Sequence, residues 1–392
     1  MKILQVISSF PPAYSYGGAL NVAYHLSKEL VRIGHDVTVY TTDVYSSNSR
    51  LQYTKNPVGM EGIIIYHFRN ISNILARKNL TCALPMYFSL KKNTREFDLI
   101  HLHEYRSFQA VFVHRFAKKY KIPVVIQPHG SLPRIIERKG LKQLYDKIWG
   151  NDILKNACKI IAVSQNEVEQ FREAGIPDEK IAIIPNGVSI VSPMDLPPSG
   201  QFREQFDIHE KYMILFVGRI HRRKGIDFLI RAFHHFIQTW NGNDVALIIA
   251  GPDDGYRSEL ISLVEELDLS HKVKFVDYLS SVGTAYLDAD VLVYPSIYEI
   301  FGLVPFEALL HDTPVIVTDD CGCGELIREA DCGYLVRYGD VAGLSEMIGY
   351  VLKHPEENAK KVQAGKKYIR ERLAWERIVS QVENVYQDAI SA

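Results

Sequence analysis

Four side chains in the C-terminal half of this sequence are of types that suit a ligand carrying both negative charge and hydroxyl groups. Glu299 and Glu307 stand eight residues apart within VLVYPSIYEIFGLVPFEALLHDTPVIVTDDCGCGE, Val291 to Glu325. Arg219 and Lys224 stand in VGRIHRRKGID. A guanidinium fork grips a diphosphate through two parallel hydrogen bonds, and an ammonium adds a compact second charge. Carboxylates accept hydrogen bonds from hydroxyls, and free N–H groups at a helix start favour phosphate. Each group also has a plainer reading. Glu307 would complement a helix dipole, Glu299 would be a solvated loop residue, and Arg219 to Lys224 would be a solvated basic loop.

The elements around these residues decide how they are held. The apolar run Val291 to Tyr294 reads as a buried parallel strand that breaks at Pro295-Ser296. Glu299 then lies in a loop, Phe301-Gly302-Leu303 follow, and a short helix starts near Val304-Pro305 with Glu307 in its first turn. Pro314 to Thr318 is the next strand. Upstream, Tyr212 to Val217 is a strand ending at Gly218-Arg219, and Lys224-Gly225 head a helix through His235. Further strands in this half are Val245 to Ile249, Val273 to Val276 and Gly333 to Val336.

The N-terminal half has the same alternation. Lys2 to Ile7 is a strand, a loop through Tyr14-Ser15-Tyr16 reaches Gly17-Gly18, and a helix runs from Ala19 to about Ile33 before the strand Asp36 to Tyr40. Gly17-Gly18 therefore sits at a strand-to-helix handover, where backbone N–H groups can approach a phosphate or an acceptor. There is no GxGxxG, so dinucleotide binding of the dehydrogenase kind has no support. Strands at Gly62 to Tyr66, Asp98 to Leu102, Pro123 to Gln127, Lys159 to Val163 and Lys180 to Ile184 alternate with helices such as Phe108 to Lys119 and Asn166 to Ala174. That pattern predicts a parallel sheet with helices on both faces. His129-Gly130 follows one strand's carboxyl end, and His101 and His103 end another. The aperiodic VSIVSPMDLPPSG, Val188 to Gly200, reads as the linker, and Tyr368 to Ile390 as helix.

At 392 residues the chain suits two domains of ordinary size. A net charge of −1 gives no global argument for nucleic acid or an anionic surface. The five cysteines contain no CxxC pair, which fits free thiols in a reducing, cytoplasmic compartment. No apolar run approaches a membrane span, and MKILQVISSF is too short in its apolar part for a signal peptide.

Glu299-x7-Glu307 inside YPSxYExFGLxxxEAL, followed by PVIVTDxCGCGE, resembles the signature of retaining glycosyltransferases of family 4. The resemblance runs from the glycine loop SSFPPxxxxGGA to the terminal helix, where Trp375 stands at an aromatic position of the family. It implies the GT-B fold: two Rossmann-like parallel-sheet domains facing across a cleft, with the C-terminal helix crossing back. The division expected is 1–190 as the acceptor-side domain, 191–206 as linker, 207–370 as the nucleotide-sugar domain and 371–392 as the returning helix. The implied activity is metal-independent transfer of a hexosyl group, with retention, from a UDP- or GDP-sugar to a glycan, lipid-linked or small-molecule acceptor. The leaving phosphate itself takes the acceptor's proton.

On that resemblance, Arg219 and Lys224 hold the diphosphate and Glu307 the ribose. Glu299 with the amides of Phe301, Gly302 and Leu303 holds the sugar, and Gly17 and Gly18 line the donor site. His129 contacts the sugar, its imidazole donating a hydrogen bond to a hydroxyl. Neither a metal nor a separate cofactor is implied, and no nucleic acid partner. Asp288-Ala289-Asp290 reads as a DxD, a metal–nucleotide motif in the other large glycosyltransferase fold, but its helix-to-strand position explains both aspartates structurally. Leu132 to Trp149 and Asn79 to Lys92 mix apolar and basic residues, which leaves open a peripheral membrane contact through the N-terminal domain. Two departures stand out: Ser189 where the family often has aspartate, and Asp277 where it commonly has glycine. The rival readings are another GT-B nucleotide-sugar enzyme, such as an epimerase, and a non-catalytic nucleotide-sugar binder.

Overall fold

A computed structural model describes residues 1–13, 17–46, 49–52, 56–72, 76, 81–132, 139–190, 198–240, 244–277, 279, 281–297 and 299–392. The loop 14–16, most of the linker (191–197) and part of the basic segment (133–138) expected from the sequence lie outside these residues. The chain forms two compact units. One comprises Met1–Gly187 with Trp375–Ala392, and the other Val188–Ala374.

The first unit is built on an eight-stranded sheet. Its strands are β1 (Lys2–Val6), β2 (Asp36–Thr42), β3 (Val58–Met60), β4 (Ile63–Phe68), β5 (Leu99–His103), β6 (Val124–Gln127), β7 (Lys159–Ala162) and β8 (Ile181–Ile183), in the order β3-β4-β2-β1-β5-β6-β7-β8. Every pairing is parallel except β3 with β4. The inner strands β1 and β5 are buried because helices cover both faces, and they carry the polar Gln5, His101 and His103 among their apolar residues. On one face the helix Gly18–Arg32 packs Leu26 and Leu30 with Val382 and Tyr386 of the helix Trp375–Ser391 over Ile3, Val39 and Ile161.

The second unit is a six-stranded, all-parallel sheet of β9 (Tyr212–Val217), β10 (Val245–Ala250), β11 (Val273–Val276), β12 (Val291–Tyr294), β13 (Val315–Thr318) and β14 (Tyr334–Val336). The order β11-β10-β9-β12-β13-β14 reverses direction between β9 and β12. Ligands bind at the carboxyl ends of strands flanking such a reversal, because the connecting loops diverge there and leave a crevice. In the first unit the reversal falls between β1 and β5.

Two expectations change. The terminal stretch Tyr368 to Ile390 is not one helix: the helix Pro355–Tyr368 runs into a wide turn at Ile369–Leu373, and Ala374 is extended, with φ −60° and ψ 139°, before Trp375–Ser391 begins. The break is fixed by tertiary bonding, since the Val188 N–H donates to the Leu373 carbonyl at 2.8 Å. The Trp375 ring then lies so close to Gly187 that a Cβ there would fall 2.3 Å from it. Within the stretch expected as linker, Gln201–Gln205 is a short helix of the second unit with Phe202 fully buried.

Candidate functional site

The two cations and Glu299 are delivered by neighbouring strands at the reversal in the second unit. Arg219 and Lys224 follow β9, and Glu299 follows β12. A single 3₁₀ turn, Arg222–Lys224, brings Lys224 inward, and His221 caps it by accepting the Arg223 N–H at 3.1 Å. Gly225 ends the turn at φ +62°, and a Cβ there would lie 2.0 Å from the Pro295 carbonyl oxygen. Only glycine meets both conditions. The Ile297 N–H donates to the Arg223 carbonyl at 2.8 Å, which ties the loop after β9 to the loop after β12.

Lys224 and Glu299 thereby become an ion pair. The ammonium donates to Glu299 Oε2 and, at 2.9 Å, to the Tyr294 hydroxyl, which itself donates to Glu299 Oε2 at 3.0 Å. The two ionic side chains are 16% and 27% exposed. Burial pushes the Glu299 carboxyl up, but the Lys224 charge and hydrogen bond, with Tyr294 and more distant Arg219, outweigh it and hold the group below the usual range. The Tyr294 hydroxyl is driven well up by burial and the adjacent carboxylate, so it stays a donor.

Arg219 stands outside this trio. Its guanidinium donates to Asp254 at 2.8 Å and is about half exposed. Phe301 is buried with its ring 5.7 Å from that of Phe306. Gly302 has φ +84°, with Cys323 Sγ and the Tyr294 ring each 3.1 Å from where a Cβ would be. The helix Val304–Leu310 begins immediately after. Among the described residues no acceptor takes the amides of Phe301, Gly302 or Leu303. Glu307 belongs to a separate pair: the Tyr286 hydroxyl donates to its Oε2 at 3.0 Å. Burial raises its carboxyl, and the Tyr286 bond only partly offsets that.

In the first unit, Gly17 has φ +94° just before the helix Gly18–Arg32, and the space beside both glycines is open. His129 follows β6 at φ +52°, a left-handed conformation uncommon for a side-chain-bearing residue. The turn is held by Glu167, whose Oε1 accepts the Gly130 N–H at 2.8 Å and whose Oε2 accepts the Val163 N–H at 2.9 Å. His129 bonds His103, which bonds Gln5.

The remaining sequence candidates have structural partners. Asp288 accepts the N–H groups of Gly200, Phe202 and Arg203 at 2.5, 2.8 and 3.0 Å, capping the helix Gln201–Gln205. Asp290 accepts the Met213 N–H at 2.7 Å and pairs with Arg203 at 2.9 Å. Asp277 pairs with Arg257. The Cys321 and Cys323 sulfurs lie 3.0 Å apart, with Cys321 donating to the Thr318 carbonyl. Among the described residues, no three His, Cys, Asp or Glu side chains are grouped to hold a metal.

Sequence reasoning passed over Tyr294, Asp254, Tyr286, Gln5 and Glu167. Tyr294 was the most accessible of these, being a polar-tipped residue at the last position of an otherwise aliphatic strand, five residues before Glu299.

Residues 16–191 match the family described as Glycosyltransferase Family 4, and residues 199–368 the one described as Glycosyl transferases group 1. An uncharacterized glycosyltransferase of Methanocaldococcus jannaschii is 29% identical over 409 residues, spanning 100% of this chain and 99% of its own. An uncharacterized 41.2 kDa protein from the cps region of Klebsiella pneumoniae is 30% identical over 286 residues, 71% of this chain and 74% of its own. Among solved structures, Anabaena HepE in complex with UDP superposes with a TM-score of 0.78 at 22% identity, covering 99% of this chain and 100% of that one, a likeness in fold. With both halves matched and a GT-B fold throughout, the chain belongs to the group 1 glycosyltransferases of family 4.

Proposed function

We propose that this glycosyltransferase moves a hexosyl group, with retention, from a nucleotide-diphosphate sugar to a hydroxyl of a glycan, lipid-linked or small-molecule acceptor. The observation that carries the reading is the Lys224–Tyr294–Glu299 group at the reversal between β9 and β12. It places a cation and a carboxylate side by side, so that one ligand can take a diphosphate oxygen from the first and a hydroxyl from the second. The UDP in the Anabaena structure supports a uridine nucleotide as the first donor to test.

In this reading the bond between the anomeric carbon and the phosphate oxygen breaks, and its electron pair passes to the departing diphosphate. Lys224 and Arg219, with the amides of Phe301 to Leu303, stabilise that growing charge more than the ground state, which is what lowers a barrier. The departing phosphate oxygen accepts the proton of the acceptor hydroxyl as the hydroxyl oxygen bonds the anomeric carbon on the same face. Glu299 orients the sugar and Glu307 accepts from the ribose, so neither acts as nucleophile or base. Gly17, Gly18 and His129 keep the donor contacts that the family resemblance implies. No step uses a divalent ion or separate cofactor.

A lipid-linked acceptor is supported by Leu141, Leu144, Ile148 and Trp149, exposed residues at helical spacing next to Lys142 and Lys147. Among the described residues no helix is long and apolar enough to cross a membrane. The five cysteines are free thiols, which supports work in a reducing, cytoplasmic compartment, at the membrane face if the acceptor is a lipid. The test is product analysis with UDP-sugars, with and without an acceptor panel. Transfer that needs an acceptor fits the reading; donor isomerised without acceptor would replace it with an epimerase.

A further inference from the structure

A buried chain of side chains links the C-terminal helix to His129 through the middle of the first unit's sheet. His101 Nδ1 meets the Tyr386 hydroxyl at 2.6 Å, and Gln5 Nε2 meets the same hydroxyl at 3.2 Å. Gln5 Oε1 meets His103 Nε2 at 2.6 Å, and His103 Nδ1 meets His129 Nε2 at 2.9 Å. Gln5 lies opposite His101 across the β1–β5 pairing, and His101 and His103 stack with centroids 4.2 Å apart. The His103 and His129 rings are different: their planes differ by only 9° while their centroids are 5.2 Å apart. With the two nitrogens at 2.9 Å, those values put both rings nearly in one plane, each lone pair or N–H aimed along the contact.

Such a chain can run in only two directions, and the bond lengths choose between them. The atom of Gln5 facing His103 Nε2 is its amide oxygen, at 2.6 Å, just under the ordinary 2.7–3.2 Å range for N–H···O, so the ring N–H donates to it. At 3.2 Å the Gln5–Tyr386 contact is long for a hydroxyl donor and ordinary for an amide N–H donor. Gln5 Oε1 therefore accepts, and His103 carries its proton on Nε2. A neutral imidazole has one N–H and one lone pair, so His103 Nδ1 accepts from His129 Nε2, and the lone pair of His129 is left on Nδ1. Burial keeps the rings neutral: the pKa values of His101 and His129 are pushed down to about 3, and that of His103 well below its ordinary range.

We infer that Gln5 and His103 are positioning residues that fix His129 as the tautomer with an accepting Nδ1. His129 then recognises a substrate group that brings its own hydrogen, a hydroxyl or an N–H. This reverses the donating role expected from the sequence. The inference rests on the reading of His129 as a sugar contact. His129 is half-buried, and Nδ1 makes no hydrogen bond among the described residues. The substrate class that follows is a sugar presenting hydroxyl at this point; a carboxylate or a fluorine there has no hydrogen to offer.

The test is ring ¹⁵N spectroscopy of the full-length protein labelled at histidine, with the His129 signals assigned by His129→Gln. Protonation at Nε2 and a bare Nδ1 are expected, and the opposite tautomer would overturn the inference. Gln5→Leu removes the acceptor and should release His129 to a mixture of tautomers, whereas Gln5→Glu keeps an acceptor and should keep the tautomer. A His129 tautomer unchanged in folded Gln5→Leu refutes the positioning role. With donors in which single hydroxyls are replaced by fluorine, one position should lower kcat/KM about 10-fold in the wild type and not in His129→Ala. Turnover insensitive to fluorine at every position refutes the accepting role and leaves the transferase reading intact. No turnover with any nucleotide-sugar refutes the transferase reading, and the spectra then decide the tautomer independently.

Discussion

Replacing Lys224 with Met separates what the Lys224–Glu299 pair does for stability from what it does for the reaction. The methionine stem fills the same space but leaves the Glu299 carboxylate, 27% exposed, with the Tyr294 hydroxyl as its remaining side-chain hydrogen-bond partner among the described residues. Breaking a buried pair from one side costs roughly 3–5 kcal/mol, and the residual exposure of Glu299 places this case near about 3 kcal/mol. For the reaction, losing one preorganised charge aimed at the leaving group costs about 10²–10³ in kcat. Adding Glu299→Gln removes the stranded charge, so Lys224→Met/Glu299→Gln should recover most of the lost stability while staying at least as inactive as Lys224→Met. Urea denaturation and steady-state transfer from the working donor measure the two quantities. Turnover within a few-fold of wild type in Lys224→Met would refute the assignment. So would recovery of activity in the double variant, because the lysine would then have served only to neutralise Glu299.

Further outcomes follow from local geometry. Burial pushes the fully buried Glu167 carboxyl up to about 7 from an ordinary value of 4.5, so its contribution to stability is complete below pH 4.5 and is lost as pH rises through 7. Relative to wild type, Glu167→Gln should gain about 3 kcal/mol between pH 5 and pH 8 in urea titrations; a flat difference contradicts this. Gly225→Ala forces a Cβ to within 2.0 Å of the Pro295 carbonyl at a left-handed φ. It should lower stability by at least about 2 kcal/mol and reduce transfer, and a wild-type melting temperature would rule the contact out. Asp288→Ala strips three N–H groups of their acceptor, which should cost about 2 kcal/mol yet leave UDP affinity unchanged. Loss of UDP binding at unchanged stability would instead favour a metal role for the Asp288–Asp290 pair.

Much of the scaffold was legible because its strands are buried on both faces. β9, β10 and β12 fall where their uninterrupted apolar runs lie, to within a residue, and the glutamates and cations follow the strand ends that the sequence marked. β3 was missed because Val58–Met60 is three residues long and pairs antiparallel at the sheet edge. The break at Ala374 was missed because alanine favours helix, and the bond that fixes the break comes from Val188, far away in sequence. The site was legible as a set of residues but not as a set of contacts. Lys224 and Glu299 are 75 residues apart and read as independent grips on a ligand, whereas in the fold they hold each other. Gln5 and Tyr386 lie 381 residues apart, so nothing local announced the chain that sets the His129 proton. Asp254, the partner of Arg219, likewise comes from a different loop.

In the proposed function Lys224 and Arg219 serve the departing diphosphate of a nucleotide-sugar during retaining transfer. The most direct measurement is the anomeric configuration of the product, read by NMR from reactions of wild type and Lys224→Met with an α-linked UDP-sugar, its acceptor and a chelator. The expected result is an α-linked product from the wild type, undiminished by the chelator, and about a 10²–10³-fold loss in the variant. A β-linked product, or transfer that survives the loss of Lys224, would contradict it.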